Sequence, residues 1–584
     1  MNPSRRELLG TGARAGLATA AATAWPWLSG CGAGAPWRWG QALPPHITGA
    51  WVGGSMARGH AWRDQASLRS PPAVGAPVRT VHTLVVGAGV AGLAAAQRLV
   101  SQGLDDVVVL DLDDRPGGNA KGHVVQGLPC PLGAHYLPVP AASGGAHAGL
   151  SAWLQAQGLI HWRHGRWVGD ERHLCHSPQE RLFLPDGALP SGAWRGHWQE
   201  GLLPFEGLSA AEQGQVRRFE STVQALGASL GFAMPTHQQP WTTGHAALDG
   251  LSFAQWLDAQ GFTAPALRWW LDYACRDDYG ASLQAVSAWA GIQYVASRHM
   301  RIDGDSHEGD GVLTWPDGNA ELVRRLAAPL GDRVRTGQAV VQVQAERHGA
   351  TVWVWSAQRQ ALEPWQAQQV VMAVPLWVAA RMVRNPVSAL QAVQPWLHQA
   401  PWLVTQVLLA QAPVARAGAP LSWDNVFYSD QGAADQRMPS LGYVNARHQA
   451  LAPPTGPTLL THYWALGGDS PQQARQARQA LAQAGWAEWA ARVLADLVQV
   501  HPELPEQVLQ MDLMRWGHGM VIPVPGLRGH AALRALVSGV PEAPRLHWAH
   551  SDLSAFSVLE EAFAHGQRAA DQVLQASGKP RSRA

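Results

Sequence analysis

The feature that most restricts how this chain can fold is a glycine-rich turn placed directly after an apolar segment. Residues 81–86 form a mostly β-branched run typical of a buried parallel strand, and Gly87-Ala88-Gly89-Val90-Ala91-Gly92 follows at once. Gly87 permits a tight turn, Gly89 lets a pyrophosphate approach the backbone, and Gly92 lets the next helix pack closely on the strand. This order predicts a βαβ unit that binds a dinucleotide at the N-terminus of the helix.

The residues after this helix indicate which dinucleotide binds. A second apolar strand, residues 107–110, ends in Asp111, 19 residues after Gly92, where a carboxylate that binds an unphosphorylated adenosine ribose is expected. Arg115-Pro116-Gly117-Gly118 follows, which alone would be an ordinary Pro-Gly turn. Combined with the upstream fingerprint, it resembles the RxGG element of FAD proteins, so we predict FAD rather than NAD.

Further segments resemble the flavin amine oxidase superfamily, which also contains protoporphyrinogen-oxidase-like and phytoene-desaturase-like proteins. The matching segments are residues 133–137, 313–319, 334–343, 370–375, 547–552 and 560–566. The resemblance implies that residues 133–137 run past the isoalloxazine, that the Val340 backbone meets the adenine, and that Asp552 meets the ribityl chain. It also implies that a helix from Glu560 directs its positive end at the flavin.

These segments predict an α/β fold with a Rossmann-like FAD-binding domain that is assembled from discontinuous parts of the chain. The FAD-binding parts are predicted at residues 79–140, 311–380 and 511–576. An α+β substrate domain is interleaved at 141–310, which we expect to be mostly helical, and at 381–510, with one long helix near 472–497. Residues 32–78 are predicted to be a linker and N-terminal arm, and 577–584 a disordered tail.

The catalytic side chains are less well predicted than the cofactor site. Many amine oxidases of this family place a lysine near flavin N5, but the only lysines here are Lys121, which we expect to be solvated or to face a phosphate, and Lys579. Some relatives use an aromatic pair around the substrate amine, and Val558 occupies one such position. The remaining candidates for the flavin face are His135, Trp516 and His518.

Two other groups of polar residues have alternative interpretations. The histidines at 161, 164, 173 and 176 have metal-like spacing, but arginines lie among them, so we predict no metal site. Asp277 and Asp278 would suit a cationic substrate such as a polyamine, although a role at a helix end is the simpler interpretation.

Nucleic acid is excluded as a main partner because 44 basic and 43 acidic residues give a net charge of only +1.

The N-terminal residues resemble an export signal. Ser4-Arg5-Arg6-Glu7-Leu8-Leu9 is similar to a twin-arginine motif, and a weakly apolar stretch follows it at residues 17–28. Leu28-Ser29-Gly30-Cys31 resembles a lipobox, which predicts a possible lipid anchor at Cys31. We therefore expect residues 1–31 to be a signal segment and the protein to be periplasmic and anchored to the membrane.

Together these features predict an exported FAD-dependent oxidoreductase. It would transfer a hydride from a C–N or C–C bond of a small molecule (an amine, a polyamine or an apolar polyene) to flavin N5. Oxygen or a membrane carrier would then accept the electrons. The alternative that the missing lysine leaves open is a non-catalytic flavin-binding lipoprotein with an assembly or scaffold role.

Overall fold

The computed structural model describes most of the chain after the N-terminal signal-like segment. The described residues are 40–54, 56–64, 78–140, 149–185, 196–203, 207–298, 311–428, 440–449 and 456–578. The predicted signal segment, Cys31 and nearly all of the predicted tail lie outside these ranges. Among the described residues, no helix has both the length and the apolar character needed to cross a membrane.

The described residues form helices and strands throughout, numbered here in chain order. The helices are α1 Met56–Asp64, α2 Val90–Ser101, α3 Gly149–Ala156, α4 Ala210–Leu230, α5 Thr243–Asp249, α6 Phe253–Ala259, α7 Pro265–Tyr279, α8 Ala288–Arg298, α9 Ala320–Ala327, α10 Leu376–Met382, α11 Ser388–Val393, α12 Pro471–Gln483, α13 Trp486–Leu497, α14 Leu504–Gln507, α15 Ala531–Ser538 and α16 Leu559–Ala576. The strands are β1 Arg79–Val86, β2 Val107–Leu110, β3 Gly122–Val125, β4 Leu128–Pro131, β5 Tyr136–Pro138, β6 Ile160–Arg163, β7 Arg166–Gly169, β8 Glu180–Leu184, β9 His197–Glu200, β10 Val312–Thr314, β11 Val334–Arg335, β12 Gln338–Ala345, β13 Ala350–Ser356, β14 Ala361–Met372, β15 Gln399–Leu409, β16 Asp424–Phe427, β17 Tyr443–Asn445, β18 Thr458–Ala465, β19 Val508–Val521 and β20 Leu546–Trp548.

The first large sheet is assembled from distant parts of the chain. Its order is β11-β2-β1-β14-β13-β12, and β20 also pairs with β14. β1 pairs in parallel with β2 and β14, and β20 pairs in parallel with β14. All four residues of β2 are buried, as expected of a parallel strand that is covered on both faces. α2 and α16 pack together, and their buried side chains share one apolar cluster with those of β2.

The second large sheet carries the other half of the molecule. Its order is β19-β15-β18-β17-β16-β8-β9, so strands from before and after the middle of the chain meet in one layer. Every residue of β15 and β18 is buried. α13 packs on this sheet through an apolar cluster, whereas α4 to α8 contribute to the main core. This mixed α/β architecture confirms the predicted fold class.

Two sequence predictions about elements need correction. The prediction of a single long helix near 472–497 is wrong. α12 and α13 are separate helices, because Ala484 and Gly485 between them both have extended backbone angles. Glycine is a weak helix former, so a break at this position costs little. Residues 160–200 also contain β6 to β9, so within 141–310 the sustained helical part, α4 to α8, follows only after the short helix α3 and these four strands.

Candidate active site

The glycine-rich turn joins β1 to α2, and each of its three glycines occupies a position with a different constraint. Gly87 has φ of +101° and donates its N–H to the Leu110 carbonyl at 2.8 Å. A β-carbon on Gly92 would lie 1.9 Å from the Gly87 carbonyl oxygen, so the helix can approach the strand only without one. A β-carbon on Gly89 would meet only the Gly118 Cα, at 3.8 Å. Gly89 therefore faces open space at the N-terminus of α2, where a pyrophosphate can bind.

A second glycine segment, Gly117-Gly118, lies against the glycine-rich turn and extends the predicted FAD-binding surface. The Gly117 N–H donates to the Ala88 carbonyl at 2.8 Å, which joins the two glycine loops directly. Gly117 and Gly118 have φ of +130° and +57°, values that side-chain-bearing residues rarely adopt. Arg115 is exposed at the start of this loop. The backbone, rather than side chains, therefore forms the surface that a dinucleotide would contact.

Asp111 ties the strand end to the glycine turn. Its Oδ2 accepts the Ala88 N–H at 2.6 Å, and its Oδ1 accepts the Asp113 N–H at 2.8 Å. Burial raises the pKa of Asp111, while these two backbone hydrogen bonds act in the opposite direction. A carboxylate has about four acceptor positions, so two hydrogen bonds leave capacity for the hydroxyls of a ribose.

Lys121 differs from the sequence prediction. Its side chain is only 6% exposed, and its ammonium forms an ion pair with Asp113. The prediction of a solvated cation was therefore wrong, while the phosphate-facing alternative stays a prediction. The backbone carbonyl of Lys121 also accepts the Leu132 N–H at 2.8 Å, so this residue helps to join the FAD loop to the segment after β4.

The strand that contains Val340 begins beside Asp111. The N–H of Gln338, the first residue of β12, donates to the Asp111 carbonyl at 2.7 Å. Val340 is buried two residues further along β12 and is paired with Val354 of β13. The predicted adenine-contacting strand and the predicted ribose-binding acid are thus close neighbours, although they are separated by more than two hundred residues of sequence.

Asp552 lies at the opposite end of the predicted cofactor path. Its Oδ2 accepts the N–H of Leu376, the first residue of α10, at 2.9 Å. Its Oδ1 is buried and lies 3.2 Å from His550 Nδ1, but that nitrogen accepts the Asp552 N–H, so Oδ1 receives no hydrogen bond from the described residues. An unsatisfied buried carboxylate oxygen is costly, so this atom fits a hydroxyl donor such as a ribityl chain. The Asp552 Oδ1 atom, which suits a ribityl hydroxyl, and the open space at Gly89, which suits a pyrophosphate, both fit FAD.

The three candidate catalytic residues occupy different surroundings. Trp516 donates its indole N–H to the Leu132 carbonyl at 2.7 Å, beside the segment predicted to pass the flavin. His135 stacks on Tyr463 with ring centroids 4.6 Å apart, and burial lowers its pKa to about 4. His518 stacks at 4.1 Å on Trp377 of α10 instead, and burial lowers its pKa to about 3. Of the three, only His135 has its ring among the aromatic residues of the chamber described next.

Aromatic side chains surround His135 and, with carboxylates from the second large sheet and α7, form a cluster that we call the chamber. The chamber is formed by three carboxylates, Glu180, Asp277 and Asp424, and by the rings of His135, Tyr136, Tyr273, Trp423 and Tyr463. Tyr463 donates its hydroxyl to the Gly133 carbonyl at 3.1 Å, which joins this chamber to the predicted flavin segment. Aromatic walls with nearby carboxylates are suited to a cation.

The three carboxylates come from three elements. Glu180 and Asp424 are register partners in the parallel strands β8 and β16, so their side chains leave the sheet on the same face. Tyr273 and Asp277 are four residues apart on α7 and share one face of that helix. Tyr273 donates to Asp424 Oδ2 at 3.2 Å, and Tyr136 donates to Asp277 Oδ2 at 3.1 Å.

The chamber carboxyls influence one another electrostatically. Burial raises the pKa of Asp424 well above its usual range, and the negative charges of Asp277 and Glu180 raise it further. Burial alone raises the pKa of Glu180 to about 7. Glu180 is enclosed by protein yet remains accessible, and its carboxylate accepts no hydrogen bond within the described part of the chain. A cation in the chamber would favour the ionised form of all three.

The sequence prediction identified only part of this chamber. His135, Tyr136 and Asp277 were singled out in advance, whereas Glu180, Asp424 and Tyr463 were not. The only signal for Glu180 and Asp424 was an acidic residue at the start of a β-strand, which is common in proteins, and Tyr463 had no signal beyond an aromatic residue within a strand. The described residues contain no cluster of potential ligands that would hold a metal ion.

The sheet that carries the glycine loops, Asp111 and Asp552 is mixed and is built from distant parts of the chain. Together these features define an FAD-dependent oxidoreductase. The family model for flavin containing amine oxidoreductase matches residues 90–574 of the chain. The protein therefore belongs to this family, which confirms the predicted resemblance and the FAD cofactor.

Relatives with known names have diverse substrates. AofH of Mycobacterium tuberculosis, whose name assigns it to the flavin-containing monoamine oxidases, is 29% identical over 53% of this chain, and the match spans only 60% of that protein. The L-amino acid dehydrogenase of Synechocystis is 22% identical over 67% of this chain and 74% of its own. A putrescine oxidase structure has a TM-score of 0.61 at 19% identity and covers 85% of this chain and all of its own. The last similarity shows the fold alone.

Proposed function

We propose that this protein oxidises amines bound in the chamber: once the amine has lost its proton, a hydride leaves from the C–H bond of the nitrogen-bearing carbon, and the C–N bond becomes a C=N bond. The observation that supports this most strongly is the set of three carboxylates, Glu180, Asp277 and Asp424, within aromatic walls beside residues 133–136. An apolar polyene would gain nothing from three neighbouring carboxylates, whose partial desolvation is costly. A cation would offset that cost, so the chamber favours an amine or polyamine over a polyene.

The chain's own residues bind and orient the substrate in this proposal. Asp424 and Asp277 attract the substrate ammonium, and the rings of Trp423 and Tyr463 limit its position. His135 is uncharged near neutral pH because its pKa is about 4, so it adds no repulsion to an incoming cation. When bound, FAD supplies the hydride acceptor at its N5 position.

The location of this activity is also a proposal. The twin-arginine-like segment and the lipobox-like residues before Cys31 support export in a folded, cofactor-loaded form and attachment to the periplasmic side of a membrane. Attachment there would place the enzyme near a membrane electron carrier, with oxygen as the other acceptor.

The proposed activity is tested by anaerobic reduction of the purified, flavin-loaded protein. Monoamines, diamines, longer polyamines and a polyene are added separately while the flavin absorbance is followed, and we expect bleaching by amines and not by the polyene. The photoreduced protein is then mixed with oxygen or a quinone to identify the acceptor. Failure of every compound to bleach the flavin, together with failure to pass electrons on, would favour the non-catalytic alternative.

The raised pKa of Glu180 predicts a pH dependence of substrate binding. Because this carboxyl ionises near pH 7, the chamber becomes more negative as the pH rises through that value, and the KM for a cationic amine should fall. Glu180→Gln should flatten this part of the pH profile, while Glu171→Gln, at an exposed position, should leave it unchanged. A KM profile that is identical in all three proteins would contradict the assignment of Glu180 to the chamber.

The same pKa shift has a defined effect on stability. Between the usual carboxyl pKa and about 7, the folded protein binds more protons at Glu180 than the unfolded chain does. Stability contributed by this group therefore falls as the pH rises through that window. Glu180→Gln should remove this component from the pH dependence of thermal unfolding.

A further inference from the structure

The segment that precedes the first sheet is firmly attached to β19. The Thr48 carbonyl accepts the Met511 N–H at 2.8 Å, and the Ala50 carbonyl accepts the Leu513 N–H at 2.9 Å. Gly49 has φ of +148°, and a β-carbon there would lie 1.9 Å from the Met511 carbonyl oxygen. Residues 47–53 therefore form an anchor on the edge of the second sheet, where they pair in parallel with β19.

The same segment then crosses towards the FAD-binding half of the molecule. Gly53 packs so closely that a β-carbon there would lie 2.7 Å from the Leu132 side chain. Further along, in α1, Arg58 Nη1 donates to the Leu112 carbonyl at 2.8 Å and lies 2.9 Å from Asp114 Oδ1. Leu112 and Asp114 occupy the short stretch between Asp111 and the Gly117–Gly118 pair.

The two attachments differ in strength. The anchor combines several backbone hydrogen bonds with the buried side chain of Ile47, which is 4% exposed. The second contact depends on Arg58, and its partner Asp114 is 77% exposed, so water and salt screen the pair. The segment therefore has one firm attachment, on β19, and a weaker, solvent-screened one at Arg58.

We propose that the described residues 47–54 and 56–64 form a strap that retains FAD, with Arg58 as the residue that fastens it. Arg58 acts as a positioning residue, because it holds the 112–114 stretch and thereby restrains the loop between the ribose-binding acid and the glycine pair. Opening the Arg58 contact would loosen that loop while the anchor on β19 stays in place. The proposal depends on the FAD site and is independent of which substrate is oxidised.

The strap is tested by measuring the rate at which the holoenzyme releases FAD, followed by flavin fluorescence after dilution. Arg58→Ala should accelerate release about tenfold, which corresponds to ~1.4 kcal/mol. Arg63→Ala is the matched control, because Arg63 lies in the same helix, is 57% exposed and pairs with its neighbour Asp64. Arg58→Lys should restore retention only in part, since it keeps the charge without the planar guanidinium.

A second variant keeps the test valid if Arg58→Ala impairs folding. Asp114→Ala changes an exposed residue on the other side of the contact, and it should accelerate release less than Arg58→Ala, because Arg58 keeps its hydrogen bond to the Leu112 carbonyl. The double variant should release FAD no faster than Arg58→Ala, because that substitution already removes both contacts. Equal release rates in the wild type, Arg58→Ala and Asp114→Ala would overturn the proposal. No substrate is used, so this outcome is separate from a failure of the amine assignment.

Discussion

Replacing Gly89 with aspartate should give a folded protein that does not bind FAD. The position faces open space at the N-terminus of α2, and a β-carbon there meets only the Gly118 Cα, at 3.8 Å. The added carboxylate would lie close to the pyrophosphate, and two unit charges 4 Å apart repel by about 4 kcal/mol at an effective dielectric constant of 20. Affinity for FAD should therefore fall about a thousandfold. The loss of FAD affinity is measured by the flavin content of the purified variant and by titration of its apoprotein with FAD.

Two glycine-to-alanine variants separate cofactor binding from folding. Gly89→Ala should fold normally and weaken FAD binding less than aspartate does, because it adds bulk without charge. Gly92→Ala should lower the thermal stability of the apoprotein itself, since its β-carbon would lie 1.9 Å from the Gly87 carbonyl oxygen. Normal flavin content in Gly89→Asp would contradict the site assignment. A Gly92→Ala protein as stable as the wild type would contradict the close helix–strand contact.

The cofactor half of the site could be predicted because its signals are local in sequence. Gly87, Gly89 and Gly92 constrain the backbone within one turn, and Asp111 follows at a spacing set by the length of one helix and one strand. The structure places these residues together, with the Asp111 carboxylate accepting the Ala88 N–H within the turn. Lys121 was misjudged because a cation in a glycine-rich loop is usually solvated, and its partner Asp113 gave no sign of burial in the sequence.

The substrate half could not be predicted because its residues meet only through the second sheet. Glu180 and Asp424 are 244 positions apart, yet they are paired in register in neighbouring parallel strands. Nothing in either local sequence distinguishes a carboxylate that faces a chamber from one that faces water. Asp277 was noticed for its charge, but its contact with Tyr136 depends on how α7 packs against β5. Side-chain chemistry at this site therefore follows from strand register and helix packing.

Replacing Asp424 with asparagine should reduce kcat/KM for a cationic amine by at least about 30-fold, equivalent to ~2 kcal/mol. Asparagine keeps the shape and can still accept the Tyr273 hydroxyl, so the main change is loss of the carboxyl group that a bound cation would ionise. Asp332→Asn, an identical change at an exposed position of the FAD-binding half, should have no effect and serves as the control. Flavin content should be normal in both variants.

Proton release on substrate binding tests the same charge independently of turnover. The Asp424 pKa lies well above its usual range because the carboxyl is buried near Asp277 and Glu180. A cation entering the chamber favours the ionised carboxylates and lowers their pKa values, so binding should release protons to the buffer. Calorimetry in buffers of different ionisation enthalpy measures the number of protons released on binding. This number should be smaller in Asp424→Asn than in the wild type. If Asp424→Asn retains both the wild-type kcat/KM and the wild-type proton release, the chamber does not bind the substrate cation, and the amine must be recognised elsewhere.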